Sequence, residues 1–485
     1  MSTTMWTHRP SPGAETSAPR RAVQLVTIHC DDDELDRVVT AALAAVPGAD
    51  PGGLTLLTVG EDVDGPAAGT ASDPLFGDLP RHQIIALVPS RPGPDAEAVL
   101  GHVRQLVSPF TTAERDRIAR LNPLVQETVR RYRAAGTDLS AATVVFRDHL
   151  LLEKLNILDG LVALGLRPSA CLVVGKPDRT VYRRRVTADL ARSGFVVADP
   201  DDASFPVHRW LAAAAPDGPI VVVDDGGDLV LDLLARDGLR SRVRPIETTT
   251  KGIRVLRAAG LLDTVVNLSD TSTKSLMNRR IAVSCVYRFR EILRHEALEG
   301  QGCIVVGYGR LGRRIAELLA GLGMVVRVVE TDAAARQLAR AAGFEAVADV
   351  RAATADGRSR FLFGCSGRPV VPMAAVRAMA ANPVLVSASS QDLRPVLTHL
   401  RRHADARPVR NAGVRYELDG GTVTVIADGH AVNLYLAEGV SEPDYDPFTA
   451  LMLTAVVETA TGAPGRPDPE LWCCRVADLQ LELRD

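Results

Sequence analysis

The stretch Cys303–Glu330 constrains the fold more than any other part of the chain. It reads CIVVGYGRLGRRIAELLAGLGMVVRVVE: a β-branched apolar run, three glycines spaced G-x-G-x-x-G, a helical pattern, a second apolar run and a glutamate. This order is typical of a β–α–β unit whose glycine loop receives a pyrophosphate at the N-terminus of a helix. We therefore predict a parallel-sheet, dinucleotide-binding domain here.

Each glycine of the loop has its own steric role. Gly307 allows the tight turn, Gly309 lets a pyrophosphate approach the backbone, and Gly312 lets the helix pack closely on the strand. Arg310 and Leu311 complete the predicted cofactor loop. The alternative is an α/β turn of the same sequence that binds no ligand.

The acid that ends the second strand favours one dinucleotide over another. Glu330 would accept hydrogen bonds from the hydroxyls of an adenosine ribose, and its charge would repel a 2′-phosphate. The sequence therefore predicts NAD and not NADP as the cofactor, although Arg327 and Arg336 lie nearby.

Composition bounds the class of protein. A chain of 485 residues with 46% hydrophobic residues is long enough for two or three domains. The formal net charge of −3 gives no sign of nucleic-acid binding, and no apolar stretch is long enough to cross a bilayer. The N-terminal segment has no apolar signal-peptide core, and the seven cysteines form no C-x-x-C pair. We expect a cytoplasmic protein with reduced thiols and no metal site.

The remaining chain alternates strand-like and helix-like runs. Residues 22–136 suggest a small α/β sandwich in the order β-α-β-β-α, followed by one long helix at 111–135. From about residue 141 to 270 the alternation is typical of a parallel sheet with covering helices. The segment from 303 to 427 predicts a second such unit, and it ends in a β-hairpin. A helical pattern at 446–462 and a short tail close the chain.

Three further clusters contain more polar residues than a fold without a ligand site requires. Asp224 and Asp225 end an apolar strand in VVVDDGGDL, where ligands of open α/β sheets bind. The run IETTTKG supplies Glu247 and Thr248–Thr250, and NLSDTSTKS supplies Lys274, which could act as an acid or base in a partly desolvated pocket. Taken singly, these are also consistent with turn caps, a helix cap and a solvated surface lysine.

Together these clusters carry a family resemblance. Between about 141 and 462 the chain resembles adenosylhomocysteinase, through DDGGDL, ETTTKG, NLSDTSTKS, GYGRLG with VVETD, and AVNL at 431–434, in the family's order. A fainter match, HLLLEKLNILDGLVALG, aligns His149 with a functional histidine that begins a family helix, and Glu153 with a glutamate four residues on. By itself, His149 could equally be a packing or helix-start histidine.

The resemblance implies a tightly bound NAD that is regenerated in each turnover. The nucleoside 3′-hydroxyl is oxidised to a ketone, the acidified 4′ proton is removed, and the group on C5′ is eliminated. In the family, water then adds and the ketone is reduced again. The partner implied is a small, adenosine-like nucleoside.

The resemblance also implies residue roles. Lys274 matches the lysine that handles the 3′-hydroxyl proton, Glu247 a glutamate that holds the ribose hydroxyls, and Asp225 and His149 groups near C4′ and C5′ that remove the proton or activate the leaving group or water.

The cofactor contacts carry over in the same way. Thr248, Thr249 and Thr250 match threonines that contact NAD, and Asn433 matches an asparagine near the nicotinamide.

Several positions depart from the family pattern. Asn278 replaces an aspartate that touches the 3′-hydroxyl, and Arg279 replaces the asparagine that usually follows it. The adenosine-binding pattern is unrecognisable around VGKPDRTVYRRR, and the lysine–tyrosine C-terminal tail is absent. The redox groups are mostly kept and the substrate-recognising parts are altered. We therefore expect a diverged enzyme, a nucleoside dehydratase or lyase of natural-product biosynthesis. The alternatives are a true adenosylhomocysteinase and a non-catalytic NAD- or nucleoside-binding regulator.

The expected fold class is α/β, with two Rossmann-like parallel-sheet domains and a small N-terminal α/β domain. The expected parts are a disordered tail, an extension of unknown role, a substrate domain, an NAD domain, and a C-terminal helix and tail returning to the substrate domain. Their ranges are 1–21, 22–140, 141–285, 286–435 and 436–485. A homo-oligomer is expected, since the family forms tetramers.

Overall fold

The computed structural model describes residues 21–29, 55–60, 81–88, 110, 112–178, 180, 182–198, 207–214, 218–389, 391–409, 412–418, 420–462 and 468–483. The predicted tail, up to residue 20, lies outside the described residues. So do the helical patterns at 31–46 and 94–107. Arg21, assigned to the tail, is instead the first residue of a strand.

The described strands are β1 (Arg21–His29), β2 (Thr55–Gly60), β3 (Arg81–Val88), β4 (Thr143–Asp148), β5 (Cys171–Gly175), β6 (Val196–Ala198), β7 (Ile220–Asp224), β8 (Val243–Glu247), β9 (Val266–Asn267), β10 (Gly302–Val306), β11 (Val325–Val329), β12 (Glu345–Val347), β13 (Ser359–Gly364), β14 (Val384–Ser387), β15 (Asp405–Val409), β16 (Gly413–Leu418) and β17 (Gly421–Ile426). The described α-helices are α1 (Thr112–Arg120), α2 (Pro123–Ala134), α3 (Glu153–Ala163), α4 (Arg183–Arg192), α5 (Val207–Ala214), α6 (Asp228–Leu234), α7 (Asp237–Arg240), α8 (Thr250–Ala258), α9 (Ser272–Ile292), α10 (Arg310–Gly321), α11 (Ala333–Ala341), α12 (Val350–Thr354), α13 (Met373–Arg377), α14 (Arg394–His403), α15 (Glu442–Thr461) and α16 (Pro469–Glu482).

The first parallel sheet has the doubly wound strand order. Its six described strands lie in the order β6-β5-β4-β7-β8-β9, and all are parallel. β4 and β7 are short β-branched runs buried almost throughout, as expected of strands covered on both faces. The direction of winding reverses at β4, so ligands of such a sheet bind at the carboxyl ends of β4 and β7.

The second sheet contains the glycine motif. Its described strands lie in the order β12-β11-β10-β13-β14-β17-β16-β15, with β10 again at the reversal point. β16 and β17 form the predicted hairpin, which adds an antiparallel edge to the parallel strands. The predicted α/β class with two Rossmann-like sheets is confirmed. The domain boundaries drawn from the sequence stay predictions.

The chain divides into two compact units: residues 1–121 with 182–194, and residues 122–181 with 195–485. In the first unit, β1, β3 and β2 form an antiparallel sheet. The same unit holds α1 and α4, which are joined by a buried, two-pronged contact between Glu114 and Arg185 at 2.8 and 2.9 Å.

Three helix predictions need correction. The long helix at 111–135 is two helices, because Pro123 lacks a backbone N–H and disfavours helical geometry at Asn122, which has φ −124° and ψ 59°. The helix containing Glu153 begins at that residue, so His149 lies in the loop after β4. The expected C-terminal tail is helix α16, opened by the Asp468 cap and Pro469.

Helix α15 packs on α2, α3, α9 and the first parallel sheet. Its Asp446 carboxylate accepts the backbone N–H groups of Leu124 and Val125, at 2.8 and 3.2 Å, and so caps α2 from a distant part of the sequence. Among the helices described, none is long and apolar enough to cross a membrane.

Candidate active site

Polar side chains gather at the carboxyl edge of the first parallel sheet. The strand register aligns Asp148 with Gly175, Arg147 with Asp224, and Asp224 with Glu247, so these strands end at nearly the same level. The side chains that follow or end them are His149 after β4, Lys176 and Asp178 after β5, Asp225 after β7, and Glu247 at the end of β8. His149 and Asp225 therefore stand at the reversal point of the sheet.

His149 lies between two carboxylates. Its Nδ1 contacts Oδ2 of Asp178, and its Nε2 lies 3.9 Å from Oδ2 of Asp225. The other oxygen of Asp225 accepts a hydrogen bond from Nζ of Lys176. The His149 side chain is 21% exposed, so the ring reaches solvent while its partners are largely buried.

The charged groups of this cluster shift each other's pKa values. Burial and Lys176 lower the pKa of His149, but Asp178 and Asp225 outweigh them and the net pKa is raised. Burial would raise the pKa of Asp225, yet the Lys176 ammonium and the charged His149 ring hold it well below its usual range. The two carboxylates therefore favour the charged form of the imidazole, and the neighbouring cations favour the ionised form of Asp225.

Glu247 is fully buried, and only one of its two carboxyl oxygens has hydrogen-bond partners among the described residues. Its Oε1 accepts the Thr249 N–H at 2.7 Å, the Thr249 hydroxyl at 2.6 Å and the Gly226 N–H at 3.2 Å. Its buried Oε2 has no hydrogen-bond partner among the described residues. Burial, with Asp224 and Asp225 nearby, raises the pKa of Glu247 to about 8. A buried acceptor without a partner is costly unless a ligand supplies the donor.

The glycine of ETTTKG makes room for this carboxyl. A Cβ on Gly252 would lie 2.1 Å from Cδ of Glu247, so a larger residue would displace the acid. The Thr249 hydroxyl also caps α8 through the Gly252 N–H, at 3.0 Å. Thr249, predicted to contact NAD, thus fixes the orientation of Glu247.

Lys274 lies in the first turn of α9 and is half-buried. Burial lowers its pKa, and the Asp225 and Asp148 carboxylates only partly oppose this effect. Its Nζ lies 4.3 Å from the centre of the Phe448 ring. An ammonium in such a position loses its proton more easily than a surface lysine. Asn278 follows one turn later on the same helix and is also partly buried.

The glycine loop has the geometry that a pyrophosphate requires. Gly307 has φ +99°, and a Cβ on Gly312 would lie 1.9 Å from the Gly307 carbonyl oxygen. A Cβ on Gly309 would meet no atom within 4 Å, so the backbone there faces open space at the N-terminus of α10. Leu311 is partly buried beneath the loop, and Arg310 donates to the Ser269 carbonyl at 2.9 Å. These features fit a bound dinucleotide.

Glu330 lies beside the glycine loop, at the end of β11. It accepts the Tyr308 N–H at 2.7 Å and the Asp332 N–H at 2.9 Å. The two nearby arginines are engaged elsewhere: Arg327 pairs with Asp356 and Glu345, and Arg336 donates to the carbonyls of Glu330 and Thr331. The carboxylate is thus the group presented to a ribose, which favours NAD over NADP.

The other predicted cofactor contacts belong to the second unit. Thr248 follows β8 and its hydroxyl faces the Asp224 carbonyl at 3.5 Å, while the Thr250 hydroxyl lies 3.1 Å from that of Ser269. Asn433 is buried in a short 3₁₀ turn that packs against α9. Thr248 and Thr250 lie within three residues of Glu247 in the chain, and the contact of all three residues with NAD stays a prediction.

Sequence reasoning missed Lys176 and Asp178. Both lie in VGKPDRT, the segment where the family pattern was unrecognisable. The only available signal was their place after an apolar strand next to β4. Ligand atoms of Asp148, His149 and Asp225 come within 4.8 Å of one another, but Lys154 and Lys176 contact the two aspartates. These ammonium groups disfavour a cation there, and the absence of a metal site stays a prediction.

Comparison with known proteins agrees with this class of site. The family model "TrkA-N domain" matches residues 303–355, the part that begins with β10 and the glycine loop. Among solved structures, phosphoglycerate oxidoreductase from Vibrio cholerae o395 covers 56% of this chain and 92% of its own, with 18% identity and a TM-score of 0.38. That likeness is too low to bear on function. The sheets, the loop and the family model together support NAD as the cofactor.

Curated relatives are similar to this chain over about half to 60% of its length. An S-inosyl-L-homocysteine hydrolase from Methanopyrus kandleri is 31% identical over 283 residues, which are 54% of this chain and 65% of that protein. An adenosylhomocysteinase from Gloeothece citriformis is 27% identical over 307 residues, 60% of this chain and 69% of that protein. The protein is therefore adenosylhomocysteinase-like, as the motifs predicted. About a third of each relative has no counterpart in the matched region.

Proposed function

We propose that this protein is an NAD-dependent enzyme that oxidises a ribonucleoside at its 3′-hydroxyl, eliminates the group on C5′, and reduces the ketone again. NAD, held at the glycine loop of Gly307, Gly309 and Gly312, would supply the hydride-transfer chemistry. The observation that carries the proposal is the unpartnered, buried Oε2 of Glu247, in electrostatic reach of the half-buried Lys274. An unpartnered carboxyl oxygen that can hydrogen-bond a sugar hydroxyl, near an amine of lowered pKa, suits the oxidation of a diol.

The chain's own residues supply the other steps. The Lys274 amine would take the 3′-hydroxyl proton, and Glu247 would hold the diol. Asp225 and His149 stand where the sheet reverses, within 3.9 Å of each other, and would handle the C4′ proton and the departing group. Asn278 cannot accept a proton, so Lys274 would act without a neighbouring carboxylate on α9.

Two leaving groups are consistent with this chemistry. In a dehydratase, water leaves from C5′ and an exocyclic alkene remains. In a hydrolase like the relatives, a thioether is cleaved and water adds. We favour dehydration, because VGKPDRT and EGVSEPDYD diverge from the family while the oxidising groups are kept. A role in nucleoside natural-product biosynthesis would fit such an enzyme.

The test uses the purified protein as isolated. One sample is denatured and assayed for released NAD. The rest is incubated with adenosine, S-adenosylhomocysteine and C5′-hydroxylated analogues while absorbance at 340 nm and product masses are followed. A transient 340 nm band with loss of water supports the dehydratase. Release of homocysteine makes it a hydrolase. Bound NAD that no nucleoside reduces supports a non-catalytic regulator, and absence of NAD overturns the proposal.

A further inference from the structure

Asp178 is the feature of the site that the proposed function leaves without a role. We propose that Asp178 is a positioning residue, which holds His149 protonated and oriented so that its Nε2–H protonates an oxygen leaving group on C5′ of the substrate. The inference rests on the proposed function and specifies the substrate class of that same site: ribonucleosides whose C5′ group departs through oxygen.

The geometry fixes which nitrogen of His149 is free. Nδ1 is occupied by Asp178, whose side chain is 9% exposed and therefore held in place by its surroundings. Nε2 lies 3.9 Å from Asp225, which is beyond hydrogen-bond length. A carboxylate on one ring nitrogen sets the tautomer and leaves the other nitrogen to the reacting atom.

The surrounding charges favour the protonated ring. Lys176 and Asp178 face His149 from the segment after β5, Asp225 faces it from β7, and His430 acts on Asp178. Lys176 opposes protonation of the ring, but its ammonium is bound to Asp225. The two carboxylates outweigh it and raise the pKa of His149.

A protonated imidazole matters most for an oxygen leaving group. Hydroxide is the conjugate base of water, whose pKa is about 15.7, whereas a thiol ionises near pH 8.5. A thiolate can leave C5′ unaided, but hydroxide needs a proton as the C5′–O bond breaks. An acid kept charged near neutral pH supplies that proton.

The step balances within the site. The C4′–H electron pair forms the C4′=C5′ bond, and the C5′–O pair leaves with oxygen, which takes the Nε2 proton and departs as water. Asp225 accepts the C4′ proton. Once water has left, Asp225 returns that proton to Nε2 of His149, which restores the starting state. Reduction of the ketone completes the turnover, and the net change is loss of one water.

The first measurement follows the His149 ring by NMR in histidine-labelled protein, with assignment by His149→Gln. In the wild type we expect an imidazole pKa above its ordinary 6.5, and in Asp178→Asn a fall of at least about one unit. A wild-type ring that titrates at or below 6.5, or that titrates unchanged in Asp178→Asn, overturns the inference. This NMR measurement does not require the protein to turn over a substrate.

The second measurement separates leaving groups. With adenosine, elimination by Asp178→Asn should fall about 100-fold, with the basic limb of its pH profile moved to lower pH. With a 5′-thioether of adenosine the loss should be within about threefold, and Asp178→Glu should recover part of the adenosine activity. Equal losses on both substrates with an unmoved pH profile would show a merely structural role.

The two proposals fail in different ways. Suppose that no nucleoside gives a 340 nm band in the wild type, while the His149 pKa lies above 6.5 and falls in Asp178→Asn. The proposed function is then wrong, but Asp178 still raises the pKa of His149. If the band and elimination occur but Asp178→Asn changes neither the ring pKa nor the pH profile, the function stands and Asp178 is not a positioning residue.

Discussion

At the scale of single residues, Lys274 is the proposed base for the 3′-hydroxyl. Lys274→Arg keeps the positive charge but cannot lose a proton near neutral pH, so formation of the 340 nm band should slow at least about 100-fold. Stopped-flow absorbance with saturating nucleoside measures this directly. NAD content should be unchanged.

The matched control is Lys251→Arg. Lys251 pairs with the exposed Asp228 at 2.8 Å, and its exchange should alter the rate by no more than about twofold. A Lys274→Arg protein that forms the band at the wild-type rate would remove Lys274 from the mechanism.

Glu247 is expected to affect the pH dependence of the protein's stability as well as the binding of substrate. Its pKa is raised from 4.5 to about 8 by burial, so the folded state holds a proton that the unfolded chain releases. The contribution of Glu247 to the free energy of unfolding is then largest at low pH. It falls as pH rises from about 5 to about 8, by up to about 1.4 kcal/mol per pH unit. Glu247→Gln lacks this loss, so the ligand-free variant should gain on the wild type over that range in urea unfolding.

The same variant tests the diol. Loss of the Glu247 carboxyl's hydrogen bond to the sugar should raise KM by about 2- to 10-fold. Parallel unfolding curves for the two proteins from pH 5 to pH 8 would contradict the buried, protonated Glu247. An unchanged KM would contradict its contact with substrate.

At the scale of elements, the glycine loop separates folding from cofactor binding. Gly309→Ala should fold normally, because φ is −74° and the new Cβ meets no atom within 4 Å. The methyl group would occupy the space left for a pyrophosphate, so NAD should be lost from the purified protein. Gly312→Ala places a Cβ 1.9 Å from a carbonyl oxygen and should cost about 1–3 kcal/mol of stability.

Gly321→Ala, at the end of the same helix, is the control. Its Cβ also meets no atom within 4 Å, and NAD content and stability should not fall. NAD is assayed after denaturation, and stability by urea unfolding. Retention of NAD by Gly309→Ala would mean that the loop does not hold the cofactor.

Sequence reasoning worked for elements whose signal is local. Asp225 and Glu247 lie at the carboxyl ends of neighbouring parallel strands of the first sheet, and the glycine loop follows a buried strand of the second. It failed where the cause is distant. The α2 cap comes from Asp446, more than 300 residues away, and the role of Asp178 depends on the pairing of β4 with β5. The family resemblance predicts a helix that begins at His149, but α3 begins at Glu153, because an apolar pattern does not show where a strand–helix loop ends.

At the scale of the whole molecule, the path of the chain between its two compact units was not visible in the sequence. Residues 182–194 belong to the first unit, and residues 122–140 belong to the second. The reason is a set of long-range polar contacts. Asp189 accepts the Phe110 N–H at 3.1 Å and pairs with Arg115 at 3.0 Å, and no local pattern predicts either contact.

This path predicts different outcomes for two truncations. Deletion of residues 1–109 keeps α1 and the Glu114–Arg185 contact. Deletion of residues 1–121 removes Glu114 and leaves Arg185, which is 5% exposed, without that carboxylate. The longer deletion also removes the Phe110 ring that lies 4.0 Å from the Arg185 guanidinium, so it should be the less stable of the two in urea unfolding. Both keep every residue of the proposed site, so the shorter deletion should retain NAD and the 340 nm band. Equal stability of the two truncated proteins would show that α1 does not hold α4 in place, and loss of NAD from the shorter one would give the N-terminal region a part in forming the site.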